Sequence, residues 1–120
     1  MMTRIGRNTL RFGRGPWALG WAVSAGKKEL EGPLGSLFDQ CHEDTTLGTE
    51  NWERAESRLQ AEASRLALHK AGLSPGELDC VFAGDLLNQC AASVFGLCDL
   101  GIPFLGQYGA CSTMAQSLAV

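Results

Sequence analysis

Residues 79–116, DCVFAGDLLNQCAASVFGLCDLGIPFLGQYGACSTMAQ, contain the pattern that decides the fold. A short apolar run at residues 79–83 is followed by helix-spaced apolar residues at 88–100 and by a second apolar run at 102–108. A glycine turn at residues 109–111 then leads into a last helical segment. Apolar strands that alternate with helices are typical of a parallel sheet. The stretch therefore predicts an α/β fold.

The upstream sequence continues this alternation of strand and helix. Residues 17–25 (WALGWAVSA) alternate bulky and small uncharged side chains, which predicts a strand covered on both faces, with a small face that another element approaches closely. The spacing of apolar residues over 51–71 predicts an amphipathic helix. Thr49 or Asn51 can cap this helix, and Gly72 can end it. We interpret residues 29–50, which lack a period, as a long loop.

Composition and charge place the chain among soluble globular proteins. It has 120 residues, 45% of them hydrophobic and 19% charged, with a net charge of −3, which excludes disorder, collagen and coiled coil. The longest apolar run is far shorter than the roughly 18 residues of a membrane span. The N-terminus also lacks the apolar region of a secretory signal. We therefore expect an intracellular protein.

Residues 1–14 form a basic N-terminal arm ahead of the globular part at 15–120. The arm carries four arginines, whereas the rest of the chain has 6 basic and 13 acidic residues, or −7. The 3-4-3 spacing of the four arginines would place them on one face of a helix that binds anionic lipid or nucleic acid. Glycines interrupt such a helix, so we favour a solvated, partly extended arm. The arginines are Arg4, Arg7, Arg11 and Arg14.

The five cysteines predict neither a disulfide framework nor a metal site. Their number is odd and no CxxC pair occurs. Cys41 is adjacent to His42, but adjacent side chains rarely converge on one ion, and no second pair completes four ligands. We therefore expect no metal and no other cofactor.

The turn before the last helix is the strongest candidate site. A strand, a sharp turn and a helix would present Cys111 at a helix N-terminus, where a thiol pKa falls and an oxyanion or carboxylate can be held. Gly109 keeps the approach uncrowded. The alternative is that Cys111 is a small buried residue at a tight junction. Neither His42 nor His69 lies on a segment that would face Cys111 as a base.

A second candidate segment, residues 85–89 (DLLNQ), follows the first strand of the quoted stretch. Ligands of open α/β sheets gather beyond the carboxyl ends of the strands, so Asp85 and Gln89 are expected to share a crevice with Cys111. The alternative is that Asp85 only caps the following helix.

The last helix has an apolar face but reaches Val120 without a stop signal, so we expect a fragment of a larger protein.

Several segments together resemble one known family. Residues 15–39 (GPWALGWAVSAGKKELEGPLGSLFD), 51–57 (NWERAES), 67–73 (ALHKAGL), 85–89 (DLLNQ) and 102–116 (IPFLGQYGACSTMAQ) resemble the stage V sporulation protein AD family, thiolase-like proteins of endospore formers. The resemblance implies a thiolase-like αβαβα sandwich. Residues 15–120 would be an incomplete N-terminal portion of it, cut within the nucleophile-elbow helix.

The resemblance also implies a function and its partners. It implies a non-enzymatic protein that binds dipicolinic acid and supports its uptake into the developing spore, peripheral at the forespore or spore inner membrane. Membrane proteins of the same operon would be its partners, with a homodimer at full length and no nucleic acid. Cys111 occupies the nucleophile position of the superfamily, whose catalytic His or Asn partners lie in the absent second half.

The ligand itself suggests how these residues would act. Dipicolinate is a planar dianion, so we expect the backbone N–H groups after Cys111 to hold a carboxylate. The alternative function is an acyl-transferring condensing enzyme that uses Cys111 as nucleophile, and a third possibility is a fragment without activity. The expected ligand-binding residues are Cys111, Ser112, Gly109, Asp85 and Gln89.

Overall fold

A computed structural model describes residues 2–120 and has an α/β fold, as predicted. Within these residues, six short strands form three two-stranded sheets. The pair β1–β2 is antiparallel, whereas β3–β4 and β5–β6 are parallel. The elements are β1 (Met2–Ile5), β2 (Thr9–Phe12), β3 (Ser24–Ala25), α1 (Lys27–Leu30), β4 (Gln40–Cys41), α2 (Trp52–Ala71), β5 (Val81–Ala83), α3 (Ala91–Leu97), β6 (Phe104–Gly106) and α4 (Thr113–Ala119).

The predicted helix over 51–71 is confirmed as α2, with its local start and stop signals. The Asn51 side-chain oxygen accepts a hydrogen bond from the Arg54 N–H at 2.9 Å, which satisfies one of the free donors of the first turn. Gly72 ends the helix with φ 69°, a left-handed conformation that glycine adopts without steric cost. Ala55 is buried on the packed face, but Trp52, which shares the apolar spacing, is exposed.

The core lies where α2 packs against α3. Gly96 permits the close approach, because a Cβ atom there would lie 2.5 Å from the Ser57 carbonyl oxygen. The Ser57 hydroxyl donates to the Ala92 carbonyl oxygen at 2.8 Å, so the seam contains a hydrogen bond as well as apolar contacts. The buried residues of the two helices are Ala55, Ala92, Ser93 and Leu97.

The predicted strand over 17–25 is correct only at its end, where β3 pairs with β4. Its small face packs as expected, since a Cβ atom on Gly20 would lie 2.6 Å from the Ala67 carbonyl oxygen of α2. Its bulky face is not covered: Trp17 is 89%, Leu19 69% and Trp21 71% exposed. No element within residues 2–120 lies over these side chains or pairs with residues 17–22, which is why the predicted strand is shorter.

The predicted loop over 29–50 contains regular structure that the sequence pattern did not reveal. It includes the last two residues of α1 and the strand β4. Asp44 closes a turn by accepting hydrogen bonds from the Thr46 and Gly48 N–H groups, and these bonds hold the pKa of Asp44 below its ordinary value. Leu47, which lies within this turn, is buried. The segment is therefore tied down by its own polar groups and by one apolar anchor.

The basic arm is a β-hairpin rather than a helix. Residues 2–14 of the arm are described, and Met1 lies outside the described residues. The strands β1 and β2 pair through the partners Met2 and Phe12, Thr3 and Arg11, Arg4 and Leu10, and Ile5 and Thr9. All eight paired residues are exposed, so the extended, solvated interpretation is correct and the helical one is wrong. Among residues 2–120, no helix has the length and apolar character to cross a bilayer.

Candidate functional site

The carboxyl ends of β5 and β6 meet at one edge, which we call the carboxyl edge and define as residues 84–85 and 107–113. The Gln107 N–H donates to the Ala83 carbonyl oxygen at 2.8 Å and extends the pairing of the two strands. A Cβ atom on Gly84 would overlap the Gln107 carbonyl oxygen and lie 3.0 Å from Cγ2 of Thr113. Only glycine fits there, so the segment that contains Asp85 lies against the start of α4.

Cys111 lies in a sharp turn at this edge and its side chain is accessible. Ala110 has φ 47°, a left-handed conformation that is strained for a residue with a Cβ atom. The Ser112 hydroxyl donates to the Gly109 carbonyl oxygen at 2.6 Å and tightens the turn. Cys111 is exposed. The alternative interpretation of Cys111 as a small buried residue is therefore wrong.

The backbone donors after Cys111 are already in use. The Ser112 N–H donates to the Gly109 carbonyl oxygen at 2.9 Å, and the Thr113 N–H donates to the Ala110 carbonyl oxygen. The carboxylate contact expected from these N–H groups would therefore compete with the hydrogen bonds of the turn. The Thr113 hydroxyl has no partner among the described residues and would donate to an anion without this competition. The role of Cys111 and Ser112 in ligand binding stays a prediction.

Asp85 caps α3. Its Oδ2 accepts hydrogen bonds from the Ser93 N–H at 2.8 Å and from the Ser93 hydroxyl at 2.6 Å. This geometry agrees with the capping interpretation of Asp85. The other carboxylate oxygen, Oδ1, is buried and has no hydrogen-bond partner among the described residues, as is also true of the Thr113 and Ser117 hydroxyls. Such groups normally bind water or another polar molecule, so this edge retains unused hydrogen-bonding capacity.

Two further strained residues flank the same edge. Gln89 and Cys90, which precede α3, have φ 55° and 68°. Gln89 is exposed, whereas Cys90 is buried and its thiol contacts the Gln107 carbonyl oxygen at 3.5 Å. With Ala110, three of the four non-glycine residues that have positive φ within residues 2–120 lie around the carboxyl edge. Strain of this kind clusters at functional sites in other proteins, so its position here points to this edge.

Glu56 of α2 belongs to this region although its sequence pattern suggested the solvent face. Burial and the negative charge of Asp85 raise the pKa of Glu56 above its ordinary value, and hydrogen bonds from the Leu86 N–H and the Gln60 side chain only partly oppose them. The approach of residues 84–86 to α2 is a non-local contact. No periodicity within α2 would have indicated it.

His42 forms a separate cluster with Glu62 of α2. His42 Nε2 lies 2.6 Å from the Glu62 carboxylate, which also accepts from Arg58 Nε at 2.9 Å and from the Ser24 hydroxyl at 3.2 Å. Burial alone would raise the pKa of Glu62, but these hydrogen bonds and the charge of His42 lower it overall. The cluster joins β3 and the residue after β4 to α2. His69 lies exposed in the last turn of α2.

Neither the cysteines nor the surface grooves add a second site. All five thiols are free, and no group of three or more His, Cys, Asp or Glu within residues 2–120 could hold a metal ion. A groove of about 710 Å³ runs between the start of α2 and α3, but none of the predicted site residues lines it. Its lining residues are Thr49, Asn51, Glu53, Arg54, Ser57, Ala91 and Phe95.

Comparison with known proteins gives a consistent result along the chain. The family described as stage V sporulation protein AD matches residues 6–120. Stage V sporulation protein AD of Bacillus subtilis (strain 168) is 39% identical over 119 residues, which are 99% of this chain and 35% of the relative. The chain therefore spans about a third of the length of that relative.

Proposed function

The chain belongs to the stage V sporulation protein AD family, and we propose that it binds dipicolinic acid, without catalysing a reaction on it, and supports its uptake into the developing spore. Family membership over residues 6–120 is the observation that carries this proposal. The match includes the turn at Cys111 and the segment after β5, the two stretches that meet at the carboxyl edge.

The geometry of the carboxyl edge supports a binding role. Cys111 is exposed, and the Thr113 hydroxyl, which can donate a hydrogen bond to an anion, is buried without a partner among the described residues. A rigid, strained frame around such groups can hold a small planar ligand in one orientation. We assign contact roles to Cys111, Ser112, Gly109 and Gln89. Asp85 acts as a positioning residue, because one of its oxygens already caps α3.

An acyl-transferring enzyme is the second candidate, and one observation favours it. The exposed thiol of Cys111 directly follows a left-handed residue, as an activated nucleophile on a sharp turn would. Such a reaction needs a base, and the two histidines are placed otherwise: His42 is hydrogen-bonded to Glu62, and His69 is at the end of α2. We rank binding first because of the family match, and these two histidines do not decide between the candidates.

Partners and location are part of the same proposal. We place the protein at the forespore or spore inner membrane, working with membrane-spanning proteins of its operon. We also propose a homodimer for the full-length protein. Exposed apolar side chains next to the candidate site, those of Tyr108, Met114 and Leu118, supply a surface for such a contact.

Calorimetric titration of dipicolinate into the protein tests the binding role. We expect the wild type and Cys111→Ser to bind with similar affinity, because the two side chains are of similar size. We expect Cys111→Trp to bind at least tenfold more weakly, because a bulky side chain fills the site. Unchanged affinity in Cys111→Trp, with an unchanged circular dichroism spectrum, would show that the ligand binds elsewhere or not at all.

Intact mass after incubation with acyl-CoA separates the two candidate functions. A thioester on Cys111 would add the acyl mass to the wild type and leave Cys111→Ser unmodified. We expect no added mass. An acyl adduct that depends on Cys111 would favour the enzyme over the binding protein.

A further inference from the structure

Two hydroxyls of α4, those of Thr113 and Ser117, are buried without a hydrogen-bond partner among residues 2–120. The two residues are four positions apart, so they lie on one face of the helix, a turn from each other. Their oxygen atoms are enclosed by this chain itself and do not belong to an uncovered face. A hydroxyl that is taken out of water without a new partner destabilises the folded chain. Each of these two groups therefore has a cost in stability.

The Thr113 hydroxyl is the first donor after Cys111 that has no partner within the described residues. The Ser112 N–H and the Ser112 hydroxyl both donate to the Gly109 carbonyl oxygen, at 2.9 and 2.6 Å. The Thr113 N–H donates to the Ala110 carbonyl oxygen. A ligand that recruited any of these three donors would break a bond of the turn. The Thr113 hydroxyl has no such bond to break.

The other branch of the Thr113 side chain fixes its place at the carboxyl edge. Its Cγ2 would lie 3.0 Å from a Cβ atom on Gly84, so this methyl group packs against the backbone after β5. A threonine in a helix has two accessible χ1 rotamers, so one side-chain rotation can redirect its hydroxyl. The turn directly before it is strained at Ala110, where φ is 47°. A small local change can therefore bring the hydroxyl to a ligand beside Cys111.

We propose that the Thr113 hydroxyl donates a hydrogen bond to a carboxylate of the ligand bound at the carboxyl edge. Its lack of a partner in the free protein keeps it available for this contact. A hydrogen bond from a hydroxyl to a carboxylate is stronger than one between two neutral groups, so a carboxylate is the ligand group that gains most from it. The inference rests on the binding function proposed above and adds a contact residue to that site.

Asp85 is the competing partner for this hydroxyl, because its Oδ1 is also buried without a partner among the described residues. Its other oxygen, Oδ2, accepts two hydrogen bonds from Ser93, at 2.8 and 2.6 Å. Rotation of the carboxylate toward Thr113 would disturb both of them. The two hypotheses predict opposite effects on stability. A hydroxyl paired with Asp85 would stabilise the free protein, whereas an unpartnered hydroxyl destabilises it.

Thr113→Val tests the proposal, because it removes the hydroxyl and keeps the branched shape that packs against Gly84. In calorimetric titration we expect dipicolinate to bind this variant roughly 10- to 100-fold more weakly, since a hydrogen bond to a charged group is lost. In urea unfolding without ligand we expect a higher midpoint than for the wild type, since a buried polar group without a partner is removed. A purely structural role would not combine weaker binding with higher stability.

Two further variants serve as matched controls. Thr113→Ser keeps the hydroxyl and loses only the methyl group, so its affinity for dipicolinate should stay close to that of the wild type. Ser117→Ala also removes a buried hydroxyl without a partner among the described residues, but one helical turn farther from the carboxyl edge. It should raise the urea midpoint and leave the affinity for dipicolinate unchanged.

Three results would overturn the inference while the proposed function stands. The first is wild-type affinity for dipicolinate in Thr113→Val, and the second is an equal loss of affinity in Thr113→Val and Thr113→Ser or Ser117→Ala. The third is a lower urea midpoint for Thr113→Val, which would identify Asp85 as the partner of the hydroxyl. If the wild type itself binds no dipicolinate, the proposed function fails, and the contact from Thr113 fails with it.

Discussion

Two glutamates on α2 have opposite electrostatic surroundings. Glu62 accepts hydrogen bonds from Arg58 and Ser24 and contacts His42, and its pKa is lowered although burial acts in the other direction. Glu56 is partly buried near Asp85, and its pKa is raised. The ionised form is therefore favoured by folding at Glu62 and disfavoured at Glu56.

Glu62→Gln should destabilise the protein by about 1–2 kcal/mol at pH 7, because charged hydrogen bonds are lost in a half-buried cluster. The stability from ionised Glu62 is present above its ordinary pKa of 4.5 and is lost as the pH falls through the lower pKa of the folded state. The difference between wild type and variant should therefore shrink in acid. Urea unfolding from pH 7 to pH 3 measures it, and a difference independent of pH would contradict the assignment.

Glu56→Gln provides the matched comparison on the same helix. It removes a carboxylate that repels Asp85, so we expect stability at pH 7 to be unchanged or higher. Protonation of wild-type Glu56 relieves the same repulsion, so this gain should disappear as the pH falls toward 4.5, the ordinary value for a glutamate. Glu43→Gln, at an exposed position, serves as the control and should have little effect at either pH.

Single residues were predictable where their role is local. Asn51 begins α2 by accepting a hydrogen bond on its side chain, and Gly72 ends it by adopting a left-handed backbone conformation. Both roles follow from the residue type and were predicted from the sequence. Glu56 and Glu62 are both charged residues of one helix, and no local feature separates the repelled carboxylate from the hydrogen-bonded one. Their difference comes from residues distant in sequence, Asp85 for one and His42 for the other.

At the scale of elements, regular patterns predicted α2, α3, α4, β5 and β6, whereas strand pairing decided the hairpin and the pair β3–β4. The strand expected over 17–25 is reduced to β3 because its ladder partner, β4, is only two residues long. The sequence around β4 has no strand period, so this partner was missed. The arm has arginines at helical spacing, yet Gly6 with φ 63° turns it into a hairpin.

The seam between α2 and α3 gives a direct test at this scale. Gly96→Ala would place a methyl group 2.5 Å from the Ser57 carbonyl oxygen, so the helices must separate. We expect the free energy of unfolding to fall by about 1–3 kcal/mol, and the higher helix propensity of alanine offsets part of this loss. Gly76→Ala, where the space is open, is the matched control. Denaturant unfolding measures both, and equal stability of the two variants would show that the seam is looser than described.

At the scale of the whole molecule, the chain is more open than a compact domain of its length. Its radius of gyration is 15.7 Å, whereas roughly 14 Å is typical of 120 residues. The outer face of residues 17–23 and the apolar face of α4 are both uncovered. The α/β class was predictable from the alternation of strands and helices. The three separate sheets were not, because they depend on contacts between distant segments.

The central claim is that dipicolinate binds at the carboxyl edge, next to Cys111. Iodoacetamide labelling tests this claim most directly, because Cys98 and Cys111 are both exposed. Cys98, which directly follows α3 and is not one of the predicted site residues, serves as the internal control. The rate of alkylation at each thiol is followed by peptide mass with and without dipicolinate. We predict that saturating dipicolinate slows alkylation of Cys111 several-fold and leaves Cys98 unchanged. An unchanged rate at Cys111, or equal slowing at both thiols, would contradict the account.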